Sequence, residues 1–245
     1  MTQRINLHPL LLSIPALVLL AAPVCHAQDS RFHHPLNQRT PLGKTAAWLS
    51  HIHGHQEFWL QPVQVSIPGG GDVSIYSAAA EPMASTKSPA LVAVNAGHTY
   101  RLKLANMPEF PDAELYPSIE ILDRLHPPAG QENRYPIPVP FTRRDIARAL
   151  SGKLVTRVIY VEDPETAQML DPLHREIPQA VTPAENALQQ ADLLGRPMII
   201  VRLGNRRPSE HQTASLYYGT GGAVELRDQS PTREVTRVDR PQKNF

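Results

Sequence analysis

Apolar and polar residues begin to alternate at Val63. Val63, Val65 and Ile67 fall on one face of an extended chain, Pro68-Gly69-Gly70-Gly71-Asp72 interrupts them, and Val73 and Ile75 resume, the pattern of a hairpin with a glycine-rich turn. Residues 77–89, rich in Ala, Ser and Pro, read as a surface loop. A second hairpin is expected from the apolar run 90–94, the turn Asn95-Ala96-Gly97-His98, and Tyr100, Leu102 and Leu104 alternating with Arg101 and Lys103. Its Arg and Lys mark a wet face.

Residues 115–125 contain another strand, with Ile119 and Ile121 facing away from Glu120. In the segment Tyr135-Pro136-Ile137-Pro138-Val139-Pro140-Phe141 the prolines fall on one side. Missing N–H groups along one edge predict an edge strand or a polyproline-like strap. Helical signals come later. Thr142 and Asp145 form a capping-box pattern ahead of Ile146, Ala149 and Leu150, with Gly152 as the stop. Asp163-Pro164-Glu165 and Thr182-Pro183-Ala184-Glu185 predict two further helix starts, the second closed by Gly195. Strands are expected over 155–161 and 197–203, and Gly219-Thr220-Gly221-Gly222 reads as a hairpin turn.

These elements predict a mainly β fold: an antiparallel β-sandwich, immunoglobulin-like in style, with two or three short helices in its connections. The domain of 61–228 is preceded by an N-terminal arm, 28–60, that lacks either periodicity and is expected to be partly disordered. Its aromatic residues Trp48, Phe58 and Trp59 are expected to anchor it to the body. A polar tail, 229–245, follows the domain.

Residues 1–27 have the form of a signal peptide. Arg4 is the one charge, residues 10–24 are apolar, and Cys25-His26-Ala27 fits a signal-peptidase site. The apolar run is too short to span a membrane. Cleavage after Ala27 gives a periplasmic or secreted protein with no integral membrane span. Processing at Cys25 to a lipoprotein is less favoured, because Val24 is branched where that signal prefers a small residue. Cys25 is the only cysteine. The mature chain therefore has no thiol for a disulfide, an iron–sulfur cluster or a cysteine zinc site.

Charge narrows the partner class. With 24 basic against 23 acidic residues, the electrostatic footprint of a nucleic-acid binder is missing. An envelope protein or polymer is the expected partner.

The stretches Glu114-Leu115-Tyr116-Pro117-Ser118-Ile119-Glu120, His126-Pro127-Pro128, residues 154–164 and residues 194–204 together resemble an uncharacterised family of secreted bacterial proteins with no assigned activity. The resemblance covers about residues 60–207, implies export and single-domain folding, and carries over no catalytic residue.

The most specific chemical pattern is His51-Ile52-His53-Gly54-His55, with Glu57 beyond it and His33-His34 before it. On an extended chain, His51, His53 and His55 share a face at about 7 Å spacing, and imidazoles suit Zn or Cu. Convergence on one ion requires the chain to bend, and as solvated arm residues they need no metal. Gly43-Lys44-Thr45 lacks the first glycine and preceding strand of a phosphate loop, and no nucleophile elbow, H-E-x-x-H or calcium loop occurs. Glu109, Asp112, Glu114, Glu120, Asp123, Glu162 and Asp163 read mostly as solvent-facing strand residues and helix caps, so no catalytic residue is assigned. Arg202, Asn205, Arg206 and Arg207 form a basic loop suited to an anion or to an acidic envelope polymer.

The function expected from these features is a non-catalytic binding or scaffolding module of the bacterial cell envelope that needs no cofactor. The alternatives are an envelope metal-binding protein using His51, His53 and His55, and a hydrolase with its site in the connections over 126–176.

Overall fold

The computed structural model describes residues 36–54, 59–163, 180–182, 184–209 and 217–227. The signal peptide, Cys25, His33, His34, His55, Glu57, Phe58, the helix start expected at Pro164 and the tail lie outside these residues.

Within them the fold is mainly β, with two sheets and three helices. In chain order the strands are β1 (Leu60–Ser66), β2 (Asp72–Tyr76), β3 (Ala84–Lys87), β4 (Ala90–Asn95), β5 (Thr99–Ala105), β6 (Ser118–Ile121), β7 (Ile137–Pro140), β8 (Val155–Glu162), β9 (Gly195–Leu203) and β10 (Val224–Leu226). The helices are α1 (Lys44–His53), α2 (Arg143–Leu150) and α3 (Ala187–Leu194). Six strands form an antiparallel sheet in the order β3-β2-β5-β6-β9-β8, and four form a sheet in the order β10-β4-β1-β7. The smaller sheet is mixed rather than wholly antiparallel, because β7 runs parallel to β1.

Neither expected hairpin forms. β1 and β2 lie in different sheets, and so do β4 and β5. The alternation was read correctly, but it shows only which residues face a core. It does not choose the pairing partner. Each turn instead carries the chain from one sheet to the other, so Val63, Val65, Val92 and Val94 of one sheet meet Val73, Ile75, Leu102 and Leu104 of the other in one buried cluster. Residues 84–87, expected as loop, form β3 on the edge beside β2.

The proline segment behaves as its missing donors require. β7 pairs only with β1, at the edge of its sheet, with Ile137 and Val139 buried and Pro138 and Pro140 exposed. α2 also starts where the capping box places it: Thr142 Oγ1 accepts from the Asp145 N–H, and the Asp145 carboxylate accepts from the Thr142 N–H. Its Ile146 and Ala149 close the cluster between the sheets. α3 begins five residues after Thr182. Glu185 turns back to accept from both the amide and the hydroxyl of Thr182 at 2.8 Å, and Asn186 caps the helix instead.

The N-terminal arm departs from expectation in its secondary structure. Residues 44–53 are helical, and the arm is docked on the outer face of the six-stranded sheet. Ala46, Leu122, Leu188 and Ile200 form a second buried cluster with Leu36 and Leu49 against it. Gln38 takes the Ala187 N–H and donates to the Glu185 carbonyl, so the arm also straps the start of α3. Trp48 is not an anchor: it is 56% exposed. α1 can lie this close because Gly97, at φ +84°, presents no Cβ to Ser50, whose Oγ would be 2.5 Å from one. No helix among the described residues is long and apolar enough to cross a membrane.

Candidate functional site

The helix changes the histidine geometry. Two residues apart on α1, His51 and His53 leave the helix axis about 200° apart, so the shared face expected of an extended chain is lost. His51 is exposed. The Nδ1 of His53 lies 3.8 Å from a carboxylate oxygen of Asp123, which also faces Arg196 at 3.3 Å. Among the described residues no group of three His, Cys, Asp or Glu side chains could hold a metal.

In the described part of the 126–176 connections, Thr142, Asp145 and Arg157 serve structural roles. Asp145 joins the capping box and pairs with Arg157 at 2.8 Å, and Arg157 also donates to the Pro140 carbonyl. The concavity they line with Phe141, Val155, Val201 and Leu203 is too small to admit a water molecule. His126 is exposed. Of the basic loop, Arg202 turns away from solvent: Nη1 donates to Glu120 at 2.6 Å and Nη2 to the Thr40 carbonyl. Glu120, expected at the surface, is fully buried, because α1 covers it and its other oxygen takes the Ala46 N–H at 2.9 Å.

The residues that do converge are aromatic and cationic. On the outer face of β2 and β5, Tyr76 lies opposite Arg101, and Ser74 opposite Lys103. The segment carrying Tyr217 and Tyr218 folds back over this face. It is fixed by a bridge between Gly219 and Tyr100 and by the Thr220 N–H donating to the Thr99 carbonyl at 3.1 Å. Gly219 permits the approach, since a Cβ there would sit 2.2 Å from that carbonyl oxygen at φ +126°. The rings of Tyr76 and Tyr218 lie 5.0 Å apart, those of Tyr217 and Tyr218 5.0 Å edge-on, and those of Tyr116 and Tyr217 6.2 Å.

Arg101 is at the centre. Its guanidinium carbon stands 4.4 Å from the centroid of the Tyr217 ring, within cation–π range. Nε donates to the Tyr217 carbonyl at 2.8 Å and Nη1 to the Tyr116 carbonyl at 3.0 Å. Lys103 pairs with Glu114 at 2.6 Å beside Tyr116. That hydrogen bond holds the Lys103 ammonium above its ordinary range and the Glu114 carboxyl below its own. Burial pushes the Tyr217 phenol up to about 12 and pulls the Arg101 guanidinium below its usual value. Arg206 joins the cluster through its carbonyl, which accepts from the Tyr217 hydroxyl at 2.9 Å.

This grouping was not found from the sequence, where Arg101 and Lys103 marked only a wet face. A signal was present in the tyrosines. Four of the seven meet here, from segments up to 142 residues apart. No family model, curated protein or solved structure matches the chain.

Proposed function

We propose that the chain is an exported, non-catalytic binding or scaffolding module of the bacterial cell envelope, an immunoglobulin-like β-sandwich in style, and that its working surface is the tyrosine–arginine face. The observation that supports this reading is the stacking of Arg101 on Tyr217 among buried Tyr76 and Tyr116 and partly exposed Tyr218, since aromatic and Arg side chains are enriched at binding hot spots. Periplasmic or secreted location follows from the signal-peptide pattern, with an envelope protein or polymer as the partner.

The test is co-sedimentation of the mature chain, residues 28–245, with purified cell-wall and outer-membrane fractions. Saturable retention is the expected result. A turnover in hydrolase and transferase screens that one point mutation abolishes would replace binding by catalysis.

A second reading, an envelope metal-binding protein holding Zn or Cu through His51, His53 and His55, draws on the seating of His53 beside Asp123. It predicts stoichiometric metal that is lost when all three histidines become alanine, and unchanged stoichiometry removes it.

A further inference from the structure

Arg101 is largely withdrawn from water, yet no carboxylate among the described residues pairs with it. Its acceptors are the carbonyls of Tyr116 and Tyr217, and its stacking partner is a neutral ring. Glu114, the acidic group of the cluster, is committed to Lys103 and to the Tyr116 hydroxyl. Arg206, close enough to act on Arg101, carries the same sign. Arg206 and Arg207 are both exposed, and neither makes an ion pair among the described residues. Among the described residues around Tyr217, the cations Arg101, Lys103, Arg206 and Arg207 outnumber the carboxylate of Glu114; Asp72, farther along the outer face of β2, is paired with Lys87.

Removing a cation from water without a counter-ion is costly. An anion bound here would offset that cost. Two further features restrict the anion. The face is a sheet surface overlaid by one short segment. Partly exposed Tyr218 sets its ring edge-on to Tyr217, on which the guanidinium stacks, the kind of surface on which a sugar ring rests while its acid group meets the arginines.

We propose that this face binds an acidic polysaccharide, with Arg101 as the buried anchor for an acid group and with Arg206 and Arg207 following the next charges along the polymer. The inference rests on the binding-module reading above and gives it a ligand class.

The test measures binding of the mature chain to polygalacturonate, neutral dextran and inorganic polyphosphate at low and high salt. Polygalacturonate is expected to bind, more weakly as salt rises, while dextran does not. The double variant Arg206→Ala/Arg207→Ala alters only exposed side chains and is expected to weaken binding at least about tenfold with an unchanged melting temperature. Arg101→Lys keeps the charge but loses the stacked, two-point geometry, and is expected to weaken binding by a similar factor. A thermal melt verifies that it folds.

Equal binding of dextran, or wild-type affinity in the double variant, overturns the proposal. Polyphosphate binding as tightly as polygalacturonate overturns the assignment to a polysaccharide. If the chain sediments with envelope fractions but ignores polygalacturonate, this inference fails and the binding module stands; if it binds neither, both fail.

Discussion

Glu120 and Arg202 form a 2.6 Å ion pair beneath helix α1, with the glutamate wholly buried. The pair lies on adjacent strands of the six-stranded sheet, and its free carboxylate oxygen takes the Ala46 N–H in the first turn of α1. The helix has no side-chain cap of its own, since Gly43 occupies that position. A strand residue 74 positions away supplies the missing acceptor, and the negative charge suits the helix N-terminus.

Truncating this glutamate leaves Arg202 without its counter-ion. Glu120→Ala is expected to cost about 3–5 kcal/mol in urea denaturation, with faster hydrogen exchange confined first to α1 and the strap over α3. Glu120→Gln keeps an acceptor for Ala46 and should cost less. A cost near zero for Glu120→Ala would show that the arm does not depend on this pair.

Gly97 and Ser50 make the second contact on which docking of the arm depends. Gly97→Ala suffers from its positive φ, about 1–2 kcal/mol, and from the clash with the Ser50 side chain. In a Ser50→Gly background only the backbone term should remain. A double-mutant cycle reads the difference as coupling, and strict additivity would mean that α1 shifts away without cost.

Tyr100 ties the two sheets together. From β5 its hydroxyl accepts from the Asn95 N–H at the end of β4 and donates to the Ala223 carbonyl ahead of β10. Tyr100→Phe leaves the buried Asn95 N–H and the Ala223 carbonyl without this partner and is expected to cost about 1–3 kcal/mol. Unchanged stability would show that water replaces the hydroxyl.

Burial raises the phenols of Tyr76, Tyr100, Tyr116, Tyr160 and Tyr217, the last to about 12. In the unfolded chain these groups ionise near about 10. Their contribution to stability is complete below that pH. Above it the unfolded chain releases protons that the folded chain retains, so stability falls as pH rises through the folded values. Ultraviolet titration should show most tyrosinate appearing together with unfolding rather than before it. A full titration near pH 10 in a chain still folded by circular dichroism would contradict the buried cluster.

What could be read in advance follows from the range of each signal. The capping box at Thr142 and Asp145, the alternation in β5 and the prolines of β7 are local, and the structure has each where it was expected. The pairing of β1 with β4 rather than β2 was not legible, because a glycine-rich turn permits both a hairpin and a crossing between sheets. α1 was missed for a related reason. Its 10 residues hold an exposed Trp48 and Ile52 and no local cap, so its stability comes from Glu120 and the surface beneath it, not from its own pattern. The histidine cluster changed meaning with it, since the face shared by alternate residues on a strand does not exist on a helix.

The sequence by itself determined that the chain is mainly β, which residues face a core, where α2 begins and why β7 is an edge. Those properties depend on residues a few positions apart, whose geometry is fixed by backbone periodicity and by available N–H groups. Tertiary structure alone decided which strands pair, that the arm is helical, that Glu120 is an internal cap, and that Arg101 sits among four tyrosines with no carboxylate paired to it among the described residues. These depend on contacts between distant segments, and such contacts are chosen by how all the buried faces close together at once.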